Sequence, residues 1–297
     1  MGQVNIWVQP AKKEKGGFFI YMKKIVLSIL FLYLISAKAE ASQKYISLAP
    51  STTEILFALG LNDEIVGVSS YCNYPASAKY KASVGDFSHP NMEKVTSLKP
   101  DYIFCTGLEQ APVISELKRL KFNVYVADPV NIEELFESIR EIGRITHKDK
   151  NAEALIRSMR FDIEVVKEKA KLISQDKKVK VFVEIWHDPL MTAGKGSFID
   201  EIIILAGGIN IAHNVPRSYC YFSAEEVISL NPGCIIMTYM DKESPLKLVE
   251  GRFGWNNIKA IRDKRVFNDI NPDILLRPGP RITEGLKEIQ KRMYPES

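Results

Sequence analysis

Aromatic and polar side chains concentrate in three short segments, two of which follow predicted strands and one of which precedes a predicted helix. Their rings include Tyr71 in residues 69–75, Trp186 and His187 in residues 186–189, and Tyr219 and Tyr221 in residues 217–222. In α/β proteins, ligands bind at the loops that follow the strands. Flat rings on exposed loops suit a large, planar, partly apolar ligand. The alternative, that each ring packs at the edge of a core, stays open at this point.

The sequence lacks the common signatures of enzymes. It contains no Gly-x-Ser-x-Gly nucleophile elbow, no Walker-type phosphate loop, no Gly-x-Gly-x-x-Gly dinucleotide loop and no His-Glu-x-x-His zinc motif. The turn Gly194-Lys195-Gly196-Ser197 lacks the first glycine of a phosphate loop, so we interpret it as a turn into a helix cap. Four histidines without a paired Cys/His motif predict no metal site. We expect no catalytic residue and no cofactor, and an enzyme on a two-lobed α/β scaffold is the alternative of a different class.

The first 39 residues have the organisation of a secretory signal. Met22-Lys23-Lys24 is a short positive segment, residues 25–35 form an apolar run too short to span a bilayer, and Ala37-Lys38-Ala39 is a small-x-small cleavage signal. A mature chain is therefore expected to begin near Glu40 in a bacterial periplasm, without a lipid-attachment cysteine. Because the whole signal lies downstream of Met22, this residue is favoured over Met1 as the true start.

The basic charge of the chain belongs to this signal. The chain has a net charge of +4, from 40 Lys and Arg against 36 Asp and Glu. The first 39 residues hold six of the basic residues and one acidic residue, so the remainder carries 34 basic and 35 acidic side chains. A nearly neutral mature chain predicts neither a nucleic-acid partner nor direct membrane insertion.

The four cysteines are Cys72, Cys105, Cys220 and Cys234. In an oxidising compartment they could pair, and a bridge between Cys220 and Cys234 is one candidate. Free buried thiols are the other interpretation, and the spacing leaves both open.

Short apolar runs alternate with helical segments along the chain. Strands are predicted at residues 45–49, 64–68, 101–105, 122–127, 180–185, 234–238 and 265–268, and helices at residues 91–98, 111–120, 131–145, 197–206 and 282–293. Ser51-Thr52-Thr53-Glu54 and Ser223-Ala224-Glu225-Glu226 match the capping box that opens a helix. Alternating strands and helices predict mostly parallel sheets with helices on both faces.

One long helix is predicted at residues 151–173. Apolar residues recur there at steps of three and four, and neither proline nor glycine interrupts the segment. Its length of about 35 Å is sufficient to connect two small domains. An ordinary core helix of a single domain is the alternative.

The segments on either side of this helix resemble each other. Residues 92–106 (MEKVTSLKPDYIFCT) and 224–238 (AEEVISLNPGCIIMT) share seven of 15 residues. This internal repeat predicts two equivalent α/β lobes. The predicted fold is therefore α/β, with two Rossmann-like lobes of mostly parallel sheets joined by one long α-helix. The predicted regions are an upstream extension with signal peptide (1–39), an N-terminal lobe (40–148), the linking helix (149–176) and a C-terminal lobe (177–297).

Several segments carry a resemblance to a known family. They are ISLAPSTTEILFALG, VGVSSYCNYP, LKPDYIF, GWNNIKAIRDKRVF and RPGPRITEGL. With them, the chain resembles the periplasmic substrate-binding proteins of importers for iron complexes and vitamin B12, and most closely their cobalamin-binding branch. The resemblance implies two lobes joined by a rigid helix, a ligand in the cleft between them, and a monomer that meets a membrane permease.

The resemblance also suggests residues for the ligand cleft. Tyr71 matches a tyrosine of the branch that faces the corrin ring. Trp186 lies one position away from a ligand-contacting aromatic residue. The branch has a tryptophan after a Val-Pro dipeptide, whereas here Val215-Pro216 is followed by Tyr219 and Tyr221.

Two glutamates are candidates for docking onto the permease. Glu225 matches the second-lobe glutamate that meets arginines of the permease in this family. The first-lobe counterpart is not matched, because Ala111 occupies the aligned position and Glu109 lies nearby.

The resemblance thus implies a non-enzymatic receptor that delivers a corrinoid to an ABC importer. A receptor for haem or a ferric siderophore is the alternative, in which Tyr71, His89 or His187 would bind or support the metal. The candidate partners for anionic ligand oxygens are Arg217, Arg277 and Arg281. Arg281 is included among the predicted ligand-binding residues.

Overall fold

The computed structural model describes residues 1–3, 42–107, 110–239 and 244–295. The chain divides into two units, Met1–Ser42 and Gln43–Ser297, and every element below belongs to the second. The predicted signal peptide lies almost wholly outside the described residues, so it stays a prediction. Within the described ranges, no helix has the length and hydropathy needed to cross a membrane.

The first lobe contains a four-stranded parallel sheet in the order β2-β1-β3-β4. Its strands are β1 (Tyr45–Ser47), β2 (Ile65–Val68), β3 (Tyr102–Cys105) and β4 (Val124–Val126). Its helices are α1 (Pro50–Ala58), α2 (Met92–Leu98), α3 (Ala111–Arg119) and α4 (Ile132–Ile145). Ile46, Ile103 and Phe104 are fully buried, as expected for central strands of a parallel sheet that is covered on both faces.

The second lobe contains a six-stranded mixed sheet. Its strands are β5 (Lys180–His187), β6 (Leu190–Ala193), β7 (Ile209–Asn210), β8 (Tyr219–Tyr221), β9 (Cys234–Met237) and β10 (Val266–Phe267). The order is β10-β9-β5-β6-β8, with β7 also paired to β5. Strands β7, β9 and β10 continue the parallel pattern, whereas β6 runs antiparallel to both of its neighbours, β5 and β8. Its helices are α6 (Phe198–Leu205), α7 (Ala224–Leu230), α8 (Pro245–Glu250), α9 (Lys259–Arg262), α10 (Asp273–Leu276) and α11 (Ile282–Met293).

Two of the predicted loops in the second lobe are strands. Trp186 and His187 are the last residues of β5, where they pair with Met191 and Leu190 of β6 in a tight hairpin. The segment around Tyr219 is the edge strand β8, whose burial alternates between exposed, buried and exposed. That alternation is the period of a strand, and three residues were too few to reveal it in the sequence.

The linking helix α5 runs from Asp149 to Lys171, two residues earlier at each end than predicted. It packs against α4 of the first lobe and against α6 and α11 of the second. Two glycines permit this approach: a Cβ on Gly143 would lie 2.6 Å from the Cβ of Ala152, and a Cβ on Gly207 would lie 3.0 Å from that of Ala170. The start of α5 is therefore fixed to one lobe and its end to the other. The fold is α/β, with two Rossmann-like lobes joined by one long helix, as predicted, whereas the residue limits of the predicted regions stay a prediction.

The two predicted repeat units have the same structure. Helices α2 and α7 each contain seven residues and lead through a left-handed residue, Lys99 (φ 49°) or Asn231 (φ 48°), into a four-residue strand. Each helix has a side-chain N-cap: Lys94 N donates to Asn91 Oδ1 over 2.9 Å, and Glu226 N donates to Ser223 Oγ over 3.1 Å. The internal repeat is thus a repeat of structure.

Of the two predicted capping boxes, one is confirmed and one is wrong. Ser223 and Glu226 form a complete box at the start of α7. Helix α1 instead begins at Pro50, whose fixed φ favours the first turn, so Ser51 already lies inside the helix. Glu54 therefore does not cap the helix, and its carboxylate is available to the other lobe.

All four cysteines are described, buried and free, so the structure contains no bridge between Cys220 and Cys234. Burial raises the pKa of Cys105 and of Cys234 to about 12. Both thiols consequently stay protonated and unreactive at neutral pH.

Candidate functional site in the cleft between the lobes

A cavity of about 310 Å³ opens between the two lobes. The first lobe contributes Thr106 and Gly107 after β3 and residues 128–130 after β4. The second lobe contributes residues 196–198, Ser218, Tyr219, Leu276 and Pro278. Loops that follow the parallel strands thus form the first-lobe wall, which is the usual location of ligands in α/β folds.

Asp128 carries the one charged side chain among the described residues that line the cavity. Thr106, Ser197, Ser218 and Tyr219 supply hydroxyl groups, and the rest of the lining is apolar or glycine. The carboxylate of Asp128 rests directly on Gly107, because a Cβ there would lie 1.7 Å from Asp128 Oδ2. The cavity can therefore exchange hydrogen bonds with neutral polar groups, and the one charge among its described lining residues is negative.

Besides Arg277, which is paired with Asp273, two cations are neighbours of lining residues in the sequence but lie outside the lining. Lys195 and Arg217 precede Gly196 and Ser218, and both side chains are exposed to solvent. Asp128 is exposed as well, so water and salt screen its charge as they screen the charges of the two cations.

A buried ion pair joins the lobes beside the cleft. Arg281 Nε and Nη2 donate to the two carboxylate oxygens of Glu54 over 2.8 and 2.6 Å. The Glu54 side chain is only 2% exposed. The hydrogen bonds that Arg281 donates to Glu54 raise the pKa of Arg281 above its usual value. The guanidinium also lies 3.8 Å from the centre of the Tyr74 ring.

Arg277 extends this inter-lobe network. Its Nη1 donates to Asn73 Oδ1 over 2.6 Å and lies 3.4 Å from Glu54, and its Nη2 lies 2.9 Å from Asp273. Both arginines are thus neutralised by carboxylates of the protein. The guanidinium of Arg281 is engaged by Glu54, and the prediction that Arg281 binds the ligand stays a prediction.

A second inter-lobe contact lies on α6. Glu201 Oε2 accepts a hydrogen bond from the Ile132 backbone N–H over 2.9 Å. Ile132 is the first residue of α4, where backbone donors have no partner within the helix. Burial raises the pKa of Glu201 above its usual value.

Three aromatic rings meet at the ends of β5 and β9. The ring centres of Trp186 and His187 lie 5.1 Å apart, and those of Tyr239 lie 6.0 Å from Trp186 and 5.4 Å from His187. Behind them, Arg252 Nη1 and Nη2 donate to Glu184 over 2.7 Å each, and Tyr239 donates its hydroxyl hydrogen to the same carboxylate. Sequence reasoning identified Trp186 and His187 but missed Tyr239, which no motif marks.

The other predicted ligand residues are distributed around the cleft. Of these candidates, Tyr219 alone lines the cavity, while Tyr221 lies two residues further along the exposed side of β8. Tyr71 is exposed in the loop after β2. His89 is exposed beside Asp86, with Nδ1 and Oδ1 3.4 Å apart. The structure therefore brings Tyr219 to the cavity and groups Trp186 with His187, but it does not unite all the candidates. No cluster of three metal-binding side chains occurs among the described residues.

The candidate docking residues occupy different positions. Glu225 is exposed at the second residue of α7. Glu109 lies outside the described residues, so its predicted role stays untested. Glu93 is exposed at the second residue of α2, the equivalent place in the first lobe. The repeat in the sequence aligns Glu93 with Glu225, and this signal was available but not used.

Comparison with known proteins identifies the family. A family model described as periplasmic binding protein matches residues 46–272. The chain is 36% identical over 260 residues to the uncharacterized ABC transporter substrate-binding lipoprotein YvrC of Bacillus subtilis, covering 86% of this chain and 81% of that protein. No lipid-attachment cysteine is predicted for the present chain, and that point lies outside the described residues.

Solved structures agree with this assignment. A structure from Staphylococcus epidermidis, described as a possible iron-binding (periplasmic solute-binding) protein, superposes with a TM-score of 0.76 at 30% identity, covering 85% of this chain and 98% of that one. The periplasmic vitamin B12-binding protein of Vibrio cholerae superposes with a TM-score of 0.71 at 25% identity, covering 85% and 97%.

These relatives are substrate-binding proteins, which confirms the prediction that the chain is not an enzyme. Their class implies a small-molecule ligand, a membrane permease as partner and a location outside the cytoplasm. The chain belongs to the periplasmic binding protein family and is a substrate-binding protein of an ABC transporter.

Proposed function

We propose that this protein captures a corrinoid, a ligand of the vitamin B12 type, in the cleft between its lobes and delivers it to the permease of an ABC importer. The observation that carries the proposal is the charge of the cavity lining, where Asp128 is the one charged group among the described residues. Neutral amides around a corrinoid ring can donate to this carboxylate and to the hydroxyl oxygen of Ser218, which donates its own hydrogen to the Gly196 carbonyl. The cobalt of the corrinoid belongs to the ligand and not to the protein.

Haem and ferric siderophores fit this lining less well. Haem carries two propionates, and many siderophores present carboxylate or catecholate oxygens, which are best held by charge-assisted bonds from arginine. Arg277 and Arg281 are neutralised by Glu54 and Asp273. An anionic ligand would therefore meet Asp128 without a compensating buried cation.

The cavity volume is compatible with part of a corrinoid. About 310 Å³ lies at the lower end of the range for ligand pockets. The cavity would hold one amide-bearing edge of the ligand, while Tyr71 and Trp186 remain candidates for contacts outside the cavity. The name of the Vibrio cholerae relative supports a corrinoid, whereas that of the Staphylococcus epidermidis relative supports an iron complex.

A tryptophan-fluorescence titration tests the proposal. Outside the predicted signal peptide, the chain contains two tryptophans, Trp186 and Trp255. Trp186 is 47% exposed and Trp255 is 1% exposed, so a ligand in the cleft should quench Trp186. Cyanocobalamin, haemin and a panel of ferric siderophores are added in turn, with free tryptophan as the control for absorption of light by the ligand.

Saturable quenching by cyanocobalamin, lost in the variant Trp186→Phe, is the expected result. Quenching by haemin or by a siderophore without any response to corrinoids would contradict the proposal and would identify the alternative ligand. Isothermal titration calorimetry with the same ligands provides a readout that does not depend on tryptophan.

Delivery requires contact with the permease. We propose that Glu225 docks onto it, and that Glu93 is the partner of Glu225 on the first lobe. Both carboxylates are exposed in the first turn of a capped helix. This position favours a carboxylate and leaves it free to meet a cation of another protein.

A further inference from the structure

We infer that Tyr239 contacts the ligand and that the buried ion pair of Glu184 and Arg252 positions it, together with Trp186 and His187, as an aromatic wall of the cleft. The inference rests on the proposed binding function of the cleft. It adds Tyr239 as a residue that contacts the ligand, and Glu184 and Arg252 as the pair that positions it. The part of the ligand that this wall would bind is the flat apolar face of a conjugated macrocycle.

The internal repeat locates Tyr239 at the cleft. Residues 92–106 and 224–238 are equivalent helix–turn–strand units, so the next residues, Gly107 and Tyr239, occupy equivalent positions in the two lobes. Gly107 lines the cavity between the lobes. Because equivalent strand ends of two related lobes border the same cleft, Tyr239 should border it from the other side.

The polar atoms of the wall are directed into the protein. The Trp186 indole N–H donates to the Asp188 carbonyl oxygen over 2.9 Å, and the Tyr239 hydroxyl donates to Glu184. Trp186 nevertheless leaves about half of its side chain exposed. The surface that the two rings offer is consequently carbon, which suits the face of a macrocycle better than a sugar or a small polar ligand.

The ion pair behind the wall is unusual for a central strand. Glu184 is fully buried in β5, and Arg252 holds both of its carboxylate oxygens. The same guanidinium lies 4.4 Å from the centre of the buried Trp255 ring. Apolar residues of similar volume generally stabilise a core as well as a buried ion pair does. The contact that connects the pair to the proposed site is the hydrogen bond from the Tyr239 hydroxyl to Glu184, and through it the pair fixes the ring.

The two walls of the cleft then contact different parts of the ligand. Asp128 and the hydroxyl groups of the cavity meet polar groups at the edge of a macrocycle, and the aromatic wall meets its apolar surface. A rigid wall lowers the entropic cost of binding, since Tyr239 need not be ordered by the ligand.

Binding of cyanocobalamin to four variants tests the inference, by calorimetry on the purified mature protein. Tyr239→Leu keeps an apolar side chain but removes the ring, and it should weaken binding about tenfold. Tyr239→Phe keeps the ring and removes the hydroxyl, so it should weaken binding less. Glu184→Gln should weaken binding. It should also shift the fluorine resonance of Trp186 in protein labelled with fluorotryptophan, assigned with Trp186→Phe, since total emission would include Trp255 beside Arg252. Tyr80→Ala, which removes a ring 90% exposed on the first lobe, is the matched control and should bind like the wild type.

The outcomes separate this inference from the proposed function. Wild-type affinity in Tyr239→Leu, with corrinoid binding intact, would overturn the inference and leave the proposed function standing. If the wild type binds haemin and no corrinoid, while Tyr239→Leu weakens haemin binding, the corrinoid proposal fails and the aromatic wall is upheld. Should Glu184→Gln fail to fold, as judged by circular dichroism, Tyr239→Leu and Tyr239→Phe still decide the matter.

Discussion

The two repeat units share their backbone and differ in the residue that follows the strand. In the first lobe, Thr106 leads to Gly107, and the missing side chain leaves room for the Asp128 carboxylate. In the second lobe, Thr238 leads to Tyr239, whose ring joins Trp186. A glycine at this position therefore leaves space for a carboxylate from the neighbouring loop, whereas a tyrosine at the equivalent position supplies a ring of its own.

The lobes also differ in how they use buried carboxylates. Glu184 forms its ion pair within the second lobe, whereas Glu54 of the first lobe pairs with Arg281 of the second. A pair within a lobe can position a side chain, but a pair between lobes determines the width of the cleft. Together with an uninterrupted helix α5, the inter-lobe pair favours little closure on ligand binding.

The largest predicted effect concerns the inter-lobe pair. Glu54→Ala leaves Arg281 buried without its partner, and this should lower the free energy of unfolding by about 3–5 kcal/mol. Urea denaturation followed by circular dichroism measures the change. Glu116→Ala is the control, because it removes an exposed pair with Arg119 and should cost about 0.5 kcal/mol or less. Equal losses in the two variants would show that the inter-lobe pair does not hold the lobes together.

A smaller effect should follow from removing the charge of the cavity. Asp128→Asn keeps the size of the side chain and eliminates its repulsion of ligand carboxylates. Because Asp128 is exposed, haemin should gain about threefold in affinity relative to cyanocobalamin. Competition titrations measure this ratio. Asp63→Asn removes an exposed charge of the first lobe outside the cavity lining and serves as the control. An unchanged ratio would mean that Asp128 does not select the ligand.

The sequence predicted the helices and the repeated units of the fold better than it predicted the strands that carry the candidate site residues. Helix α11 was predicted with its observed limits, and the repeat of residues 92–106 and 224–238 was correct, because both depend on local periodicity and capping. The hairpin that carries Trp186 and the edge strand of Tyr219 were missed, since short antiparallel strands have a weak local signal.

The site residues missed in the sequence share a physical reason. Glu54 matched a capping box, and nothing local indicated a partner 227 residues away. Arg281 was considered as an anion ligand for the same reason, because its carboxylate partner becomes visible only in three dimensions. Asp128 follows a strand without any motif, so only the fold shows that it lines the cavity. Tyr239, the proposed ligand contact, likewise follows a strand without any motif.

The repeat also predicts equal docking roles for Glu93 and Glu225. Each substitution to alanine should leave the melting temperature and ligand affinity nearly unchanged, and each should weaken binding to the permease, by about 0.5–1 kcal/mol if the ion pair is exposed. Surface plasmon resonance on the permease in nanodiscs measures binding, and added salt should narrow the difference from the wild type. Glu168→Ala on helix α5 is the control. Loss of thermal stability without loss of docking would assign both residues to helix capping instead.

The smallest predicted effect is a change in stability at the left-handed residues that end helices α2 and α7. Lys99 adopts φ 49° with a β-carbon that disfavours this conformation, whereas Asn231 at the equivalent place tolerates it. Lys99→Asn should therefore raise the free energy of unfolding by about 0.5 kcal/mol, within the range for such substitutions. The reverse change, Asn231→Lys, should cost more, because Asn231 Oδ1 also accepts a hydrogen bond from the Lys259 N–H over 2.7 Å. Chemical denaturation of both variants measures the asymmetry. If the two changes were equal and opposite, backbone conformation alone would distinguish the repeats, and the side-chain bond of Asn231 would add nothing.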